Sequence, residues 1–161
     1  MVQNPEEQTS FDYRVWLYAL FGLIALLILS DFLIPGTIYN QEIHSIQKEH
    51  QQYFNAGGNS HVSFKVTTDE HEFSVSEEFA DTTEEGTMIE YAVSGIFRET
   101  NWYQLHSKRS EIHSLRIFTG LIIPLIVLVA MGLSYFLKRK METLVFVLQL
   151  LLVLDMIYLI M

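Results

Sequence analysis

Three long apolar segments divide the chain: 13–35, 115–137 and 143–161. Each is long enough, at about 1.5 Å of helix rise per residue, to cross a hydrocarbon core of roughly 30 Å. The second segment is uncharged after Arg116, and the third carries a single charge, Asp155. The pattern therefore predicts three transmembrane helices over these residues.

The first of these segments has a cleaved signal peptide as its main alternative. The polar residues 1–12 that precede it lack a net positive charge, and no small-residue cleavage site follows it. We therefore expect a retained transmembrane helix that ends at Pro35, preceded by a short cytoplasmic tail.

A basic turn over 138–142 sets the expected orientation. Lys138, Arg139 and Lys140 lie between the second and third apolar segments, and such residues in short loops are retained on the cytoplasmic side. The N-terminus is then cytoplasmic, while residues 36–114 and the C-terminus are extracytoplasmic. This layout is compatible with a bacterial inner-membrane protein.

Residues 36–114 are predicted to form a small α+β domain. Ile43, Ile46, His50 and Tyr53 recur at spacings of three and four, which predicts a helix over 39–54. The glycine-rich stretch 55–60 breaks it.

The remainder of this domain has strand patterns. Polar and apolar residues alternate over 62–66 and again over 73–75, which predicts a β-hairpin, and one helical turn is expected at 77–80. Further strands are expected at 89–97, with a bulge at Gly95, and at 102–105. From His106 a helix is expected to run into the second apolar segment.

The sequence as a whole predicts an α+β membrane protein. Three transmembrane helices carry an extracytoplasmic domain of about four antiparallel strands and one helix, inserted between the first and second helices. A core of that size is marginal alone.

Composition narrows the function classes. The chain has no cysteine, which removes disulfides and thiolate metal sites. Its formal net charge is −9, most of it between residues 36 and 114. A nucleic-acid partner is not expected, because a phosphate backbone requires a basic surface.

Charged residues within the apolar segments are the strongest candidates for a site. Asp31, Arg116 and Asp155 are all predicted near the outer ends of their helices. A charge in lipid costs several kcal/mol unless it is paired, so we expect Arg116 to bridge both carboxylates or one of them. The main interpretation is a structural lock, with an ion path and docking to another subunit as alternatives.

Other polar and small residues in the helices predict helix packing. Gln149 and Asp155 lie about 120° apart on the third helix, which favours two protein neighbours and weakly indicates a partner subunit. The second helix offers residues that permit close approach or a proline kink: Gly120, Pro124, Ala130, Gly132 and Ser134.

Catalytic and metal patterns are not found. The six histidines lack H-E-x-x-H spacing, and no nucleophile elbow or phosphate loop is present. We therefore expect no catalytic, cofactor or metal site. Trp102 and Tyr103 are candidate partner contacts, although aromatic residues on a small sheet more often belong to its core.

The leading hypothesis is a non-enzymatic accessory or scaffolding subunit of a larger membrane complex, with the lipid bilayer and other membrane subunits as partners. One alternative is a component of an ion, proton or solute transport assembly that uses Asp31 and Asp155. Another is a membrane-bound ligand sensor or enzyme.

Overall fold

A computed structural model describes residues 5–52, 60–105, 111–136 and 142–160. The chain forms two compact units, which we call the helical unit (Met1–Ile34 and Arg116–Met161) and the sheet unit (Pro35–Leu115). In chain order the elements are α1 (Pro5–Leu33), β1 (Thr37–Glu42), β2 (Ser45–Gln52), β3 (Ser60–Thr67), β4 (Glu72–Val75), α2 (Glu77–Thr82), β5 (Met88–Val93), β6 (Thr100–Leu105), β7 (His113–Ser114), a π-helical segment (Ile117–Ile122), α3 (Ile123–Phe136) and α4 (Glu142–Ile160).

The helical unit contains three helical stretches that are long and apolar enough to cross a membrane: Val15–Leu33, Ile117–Phe136 and Thr143–Ile160. The first belongs to a longer helix, because α1 begins at Pro5, within the residues expected as a polar tail. Proline suits a first helical turn, where its missing N–H would have no partner. The helix ends at Leu33, just before Pro35, as predicted.

Each long helix buries one stripe at spacings of three and four and exposes large apolar side chains elsewhere. A helix that is apolar all round is typical of a membrane span or of a deep core. The buried residues of α1 and α3 include Ala25, Ile28, Asp31, Pro124, Val127, Ala130, Met131 and Ser134. On α4 they are Val145, Gln149, Leu152, Asp155 and Leu159.

Helices α1 and α3 run in opposite directions along one contact. At the middle of α1, the Tyr18 hydroxyl lies 3.1 Å from Ser134 Oγ. Near its end, Phe32 packs on Gly120, where an added Cβ would lie 2.6 Å from the ring. The absent side chain of Gly120 is therefore what lets α1 approach.

The π-helical segment has a local cause in Pro124. Because proline has no N–H, the regular i to i−4 ladder loses a donor there. The preceding N–H of Ile123 donates instead to Phe118 O, five residues back. The result is a wide turn directly before α3, and the proline kink expected from the sequence stays a prediction.

The sheet unit contains two antiparallel sheets, one ordered β1-β5-β6-β7 and the other β2-β3-β4. Side chains of alternating strand positions from both sheets, together with Phe79 of α2, form one apolar core. Its buried members are Ile43, Phe64, Val66, Phe73, Val75, Phe79, Ile89, Tyr91, Val93, Tyr103 and Leu105.

The helix predicted over 39–54 is wrong. Residues of this stretch form β1, which pairs with β5, and β2, which pairs with β3 from Ser45↔Thr67 to Gln52↔Ser60. The spacing of Ile43 and Ile46 is compatible with a helix. However, the eight-residue pairing of β2 with β3 hydrogen-bonds the backbone N–H and C=O groups of β2 in an extended chain. Non-local pairing thus overrides the local pattern.

Gly36 fixes how β1 enters its sheet. A Cβ at this position would lie 1.8 Å from the Val93 carbonyl oxygen, so only glycine allows the two backbones to approach. The chain can therefore pass directly from Pro35 into a strand that pairs with β5.

The other predictions for this unit have mixed outcomes. The β3–β4 hairpin, the helical turn at α2 and the strand β6 are confirmed, whereas the strand expected over 89–97 ends at Val93. The predicted bulge lies between Ala92 and Val93 instead of at Gly95. The helix expected from His106 is wrong, because β7 and a non-helical Leu115 precede the first helical residue, Ile117.

Described strands number seven instead of about four, and the α+β class of the chain is confirmed. The glycine-rich break at 55–59 and the basic residues Lys138, Arg139 and Lys140 lie outside the described residues.

Candidate functional site

Asp31 and Arg116 form a buried ion pair in the helical unit. Arg116 Nη1 donates a hydrogen bond of 3.1 Å to Asp31 Oδ2, and the two side chains are 6% and 0% exposed. One residue lies in the last turn of α1 and the other precedes the π-helical segment, so the pair joins two elements that are distant in sequence. This is one of the two pairings expected from the sequence.

Asp155 is also buried in this unit. Its Oδ2 is fully enclosed and has no hydrogen-bond partner among the described residues. The charge of Arg116 nevertheless acts on the Asp155 carboxyl through space. The structure thus brings two of the three predicted members into a direct bond and leaves the third as a buried carboxyl close to them.

Gln149 and Asp155 lie at opposite edges of one buried stripe about 120° wide on α4. Helix α4 contacts both α1 and α3. Two helices of the same chain can therefore supply neighbours for both polar side chains. Gln149 and Asp155 do not by themselves require another subunit. Gln149 Nε2 is buried without a hydrogen-bond partner among the described residues.

The residues predicted to permit helix packing have different surroundings. Gly120, Pro124, Ala130 and Ser134 are buried on the side of their helix that faces its neighbours. Gly132 is not, and an added Cβ there would meet nothing within 4 Å. Ala130 and Ser134 are both buried, and Ser134 contacts Tyr18, while close helix packing at this small-x-x-x-small pair stays a prediction.

Tyr91 is the centre of a hydrogen-bond network that joins the two sheets. Its hydroxyl donates to Gln41 Oε1 at 2.6 Å and lies 3.0 Å from both Thr68 Oγ1 and His71 Nδ1. The single phenolic proton is used on Gln41, so the Tyr91 hydroxyl does not donate to Thr68 or to His71. Burial raises the pKa of Tyr91, and the Thr68 hydrogen bond opposes that rise.

A second tyrosine joins the sheets at another point. The Tyr103 hydroxyl accepts a 3.0 Å hydrogen bond from the Ser76 N–H, and the Tyr103 ring stacks on His113 at 5.1 Å. Tyr103 is 1% exposed, so it belongs to the core, the alternative that the sequence analysis left open. Trp102 lies on the opposite face of β6 and is half-buried.

An open cleft of about 300 Å³ lies beside this second junction. Its lining contains two carboxylates, one imidazole and one phenylalanine ring. The lining residues are Glu78, Phe79, Thr82, Leu105, Glu111 and His113.

The histidines have several different roles. His44 Nε2 lies 2.5 Å from Asp69 Oδ1, and this hydrogen bond, together with the Asp69 charge, raises the pKa of His44 above 6.5. His71 and His113 pack against core tyrosines. Within the described parts of the chain no three potential metal ligands converge, and the expectation of no metal site stays a prediction.

Comparison with protein-family models, with curated proteins and with solved structures finds no match to this chain. The geometry of its own residues is therefore the basis for any functional assignment.

Two features of the sheet unit were missed from the sequence. The Tyr91 network and the cleft each combine residues that are far apart along the chain, and no local spacing connects them. The alternation that placed Tyr91 on an inward face was the only signal for the network, because a buried phenol needs a partner for its hydroxyl.

Proposed function

We propose that this chain is a non-enzymatic integral membrane protein, an accessory or scaffolding subunit of a larger membrane complex. The observation that supports it most is the helical unit, where three helices of sufficient length expose large apolar side chains on their outer faces. In water such faces would be a liability, whereas lipid accepts them. Residues 35–115 then provide a separate module for contacts outside the bilayer.

The proposed orientation places the basic turn in the cytoplasm. In this arrangement the N-terminus is cytoplasmic, the sheet unit and the C-terminus are extracytoplasmic, and the membrane is a bacterial inner membrane. Because the chain has no cysteine, single cysteines can report the orientation directly. Glu84→Cys should react with a membrane-impermeant maleimide in intact cells, and Lys140→Cys should react only after permeabilisation.

The subunit role is tested by extraction from native membranes in a mild detergent, followed by chemical cross-linking and mass spectrometry. A defined, stoichiometric set of membrane partners is expected. A Met88→Asp variant serves as the control for the cross-linking experiment, because this substitution changes an exposed side chain of the sheet unit without touching its core. Recovery of the chain only as a monomer, with the orientation test satisfied, would reject the subunit role and leave the membrane assignment in place.

A transport component is the second candidate, and Asp155 is the observation that favours it. Arg116 forms an ion pair with Asp31, whereas the buried Oδ2 of Asp155 has no hydrogen-bond partner among the described residues. A buried carboxyl of this kind can bind a proton or a small cation. Proton or ion flux into proteoliposomes that Asp155→Asn leaves unchanged would remove this candidate.

A ligand sensor or enzyme is the third candidate, and it is favoured by the cleft beside α2. Glu78, Glu111 and His113 bring charge and a titratable imidazole to one concave surface. Such clefts with a few convergent polar groups are common ligand sites. A small-molecule screen by thermal shift, repeated on Glu78→Gln, tests it, and a hit that the variant retains unchanged would place the ligand elsewhere.

A further inference from the structure

The loop between β5 and β6 is closed tightly at its base. The Ser94 N–H donates to Glu99 O at 2.9 Å, and Ser94 Oγ accepts the Glu99 N–H at 3.2 Å. Arg98 has a positive φ of 60°, which turns the chain back toward β6. The loop is therefore an ordered four-residue tip.

Apolar side chains occupy this tip. Ile96 is 55% exposed, and Phe97 beside it is half-buried. Surface positions of a water-soluble loop are usually polar, so an exposed isoleucine next to a phenylalanine indicates a contact surface.

The tip lies at the end of the sheet where the chain enters and leaves the sheet unit. Gly36 packs directly against Val93 and Ser94, at the base of the loop. The Leu115 N–H donates to Asn101 O at 3.0 Å, beside the start of β6. Only residues 34–36 separate α1 from β1, and only residues 115–116 separate β7 from the π-helical segment. Chain connectivity thus ties this end of the sheet to two of the apolar helices.

Three exposed apolar residues in the described part of the sheet unit lie toward this end. Ile38, Ile96 and Leu115 lie within a few residues of the two connections, whereas Met88 lies at the opposite end of β5 and Ile112 precedes β7. At about 3.4 Å per residue, a six-residue strand such as β5 places Met88 close to 20 Å from the loop base.

We propose that Ile96 and Phe97 insert into the interfacial region of the lipid bilayer crossed by the apolar helices. This inference rests on the membrane assignment made under the proposed function. Interfaces accept apolar side chains beside a long cationic one, whose head group stays at the phosphate level. Arg98 supplies that cation, and Glu99 at the loop base balances its charge. Insertion therefore depends on the apolar tip and not on anionic lipid.

Single-cysteine labelling tests the proposal in the full chain, because the chain has no cysteine of its own. An environment-sensitive fluorophore is attached at Ile96→Cys, at Met88→Cys and at Leu23→Cys on an exposed face of α1. The labelled proteins are reconstituted in phosphatidylcholine vesicles and quenched with brominated acyl chains or with aqueous iodide. Circular dichroism of each labelled protein checks that the fold is kept.

The expected result is several-fold stronger quenching by brominated lipid at Ile96 and Leu23 than at Met88, with the reverse order for iodide. Replacing part of the lipid by an anionic one should leave the Ile96 signal unchanged. If Leu23 is quenched by lipid while Ile96 behaves like Met88, the inserted loop is refuted and the membrane assignment stands. If Ile96 is shielded from both quenchers, protein covers the tip and the lipid contact is refuted. If Leu23 itself is not quenched, the membrane assignment fails.

Discussion

Removal of Arg116 is the most informative perturbation of the helical unit. In Arg116→Ala the carboxylate of Asp31, whose side chain is 0% exposed, loses the guanidinium that lies 3.1 Å away. Breaking a buried pair by removing one partner costs roughly 3–5 kcal/mol, because the remaining charge is uncompensated.

The deficit of Arg116→Ala should therefore be about 3–5 kcal/mol. In a chain of this length, that corresponds to a fall in Tm of roughly 6–20 °C.

Unfolding in detergent micelles, followed by helical circular dichroism, measures this loss. The paired variant Arg116→Met with Asp31→Asn removes both charges and should recover most of the lost free energy. Lys65→Met is the control, since Lys65 and Glu72 form a partly exposed pair at 3.1 Å, and its effect should stay within about 1 kcal/mol. An Arg116→Ala loss no larger than the control, or a double variant no better than the single one, would refute the buried pairing as a stabilising contact.

Three further predictions concern the sheet unit. Gly36→Ala should lower the free energy of unfolding by at least about 2–3 kcal/mol, since its Cβ would overlap the Val93 carbonyl, whereas Gly95→Ala, which meets nothing within 4 Å, should stay within about 0.5 kcal/mol in the same thermal melts. The raised pKa of Tyr91 means that its contribution to stability is complete below pH 10.0 and is lost as the pH rises through the folded-state value. Absorbance titration should show a late-ionising phenol that disappears in Tyr91→Phe but persists in Tyr39→Phe. His44 should titrate above 6.5 by NMR and return toward 6.5 in Asp69→Asn, so its ion pair stabilises the fold at low pH and is lost as the pH rises through the raised pKa.

The long helices could be predicted because their signal is local and continuous. An uncharged run of this length has one common explanation, and Pro35 marks where the first helix stops. The polar residues between the helices were harder to assign. Sequence alone predicted that Arg116 would meet a carboxylate, but the choice between Asp31 and Asp155 depends on the packing of three helices.

The first strands of the sheet unit could not be predicted for the opposite reason. Strand β2 reads Ser-Ile-Gln-Lys-Glu-His-Gln-Gln, a sequence with more helix than strand preference. It is extended because every residue of β2 pairs with a residue of β3. The Lys48 ammonium group also lies 5.3 Å from the centre of the Phe64 ring, a cation–π contact between the two strands. Information of this kind lies in the partner strand and is not present in the segment itself.

Different interactions define the structures of the two units. The sheet unit buries an apolar core, and the hydroxyls of Tyr91 and Tyr103 add specific bonds where its two sheets meet. If the helical unit spans a membrane as proposed, apolar surface gives little preference for one helix alignment over another, because lipid would accept that surface equally well. Polar contacts then have to define the alignment, and two of them lie about 20 Å apart along α1: Tyr18 with Ser134 of α3, and Asp31 with Arg116, directly before the π-helical segment. Two fixed points on antiparallel helices exclude a shift by one turn, since such a shift would separate both pairs at once.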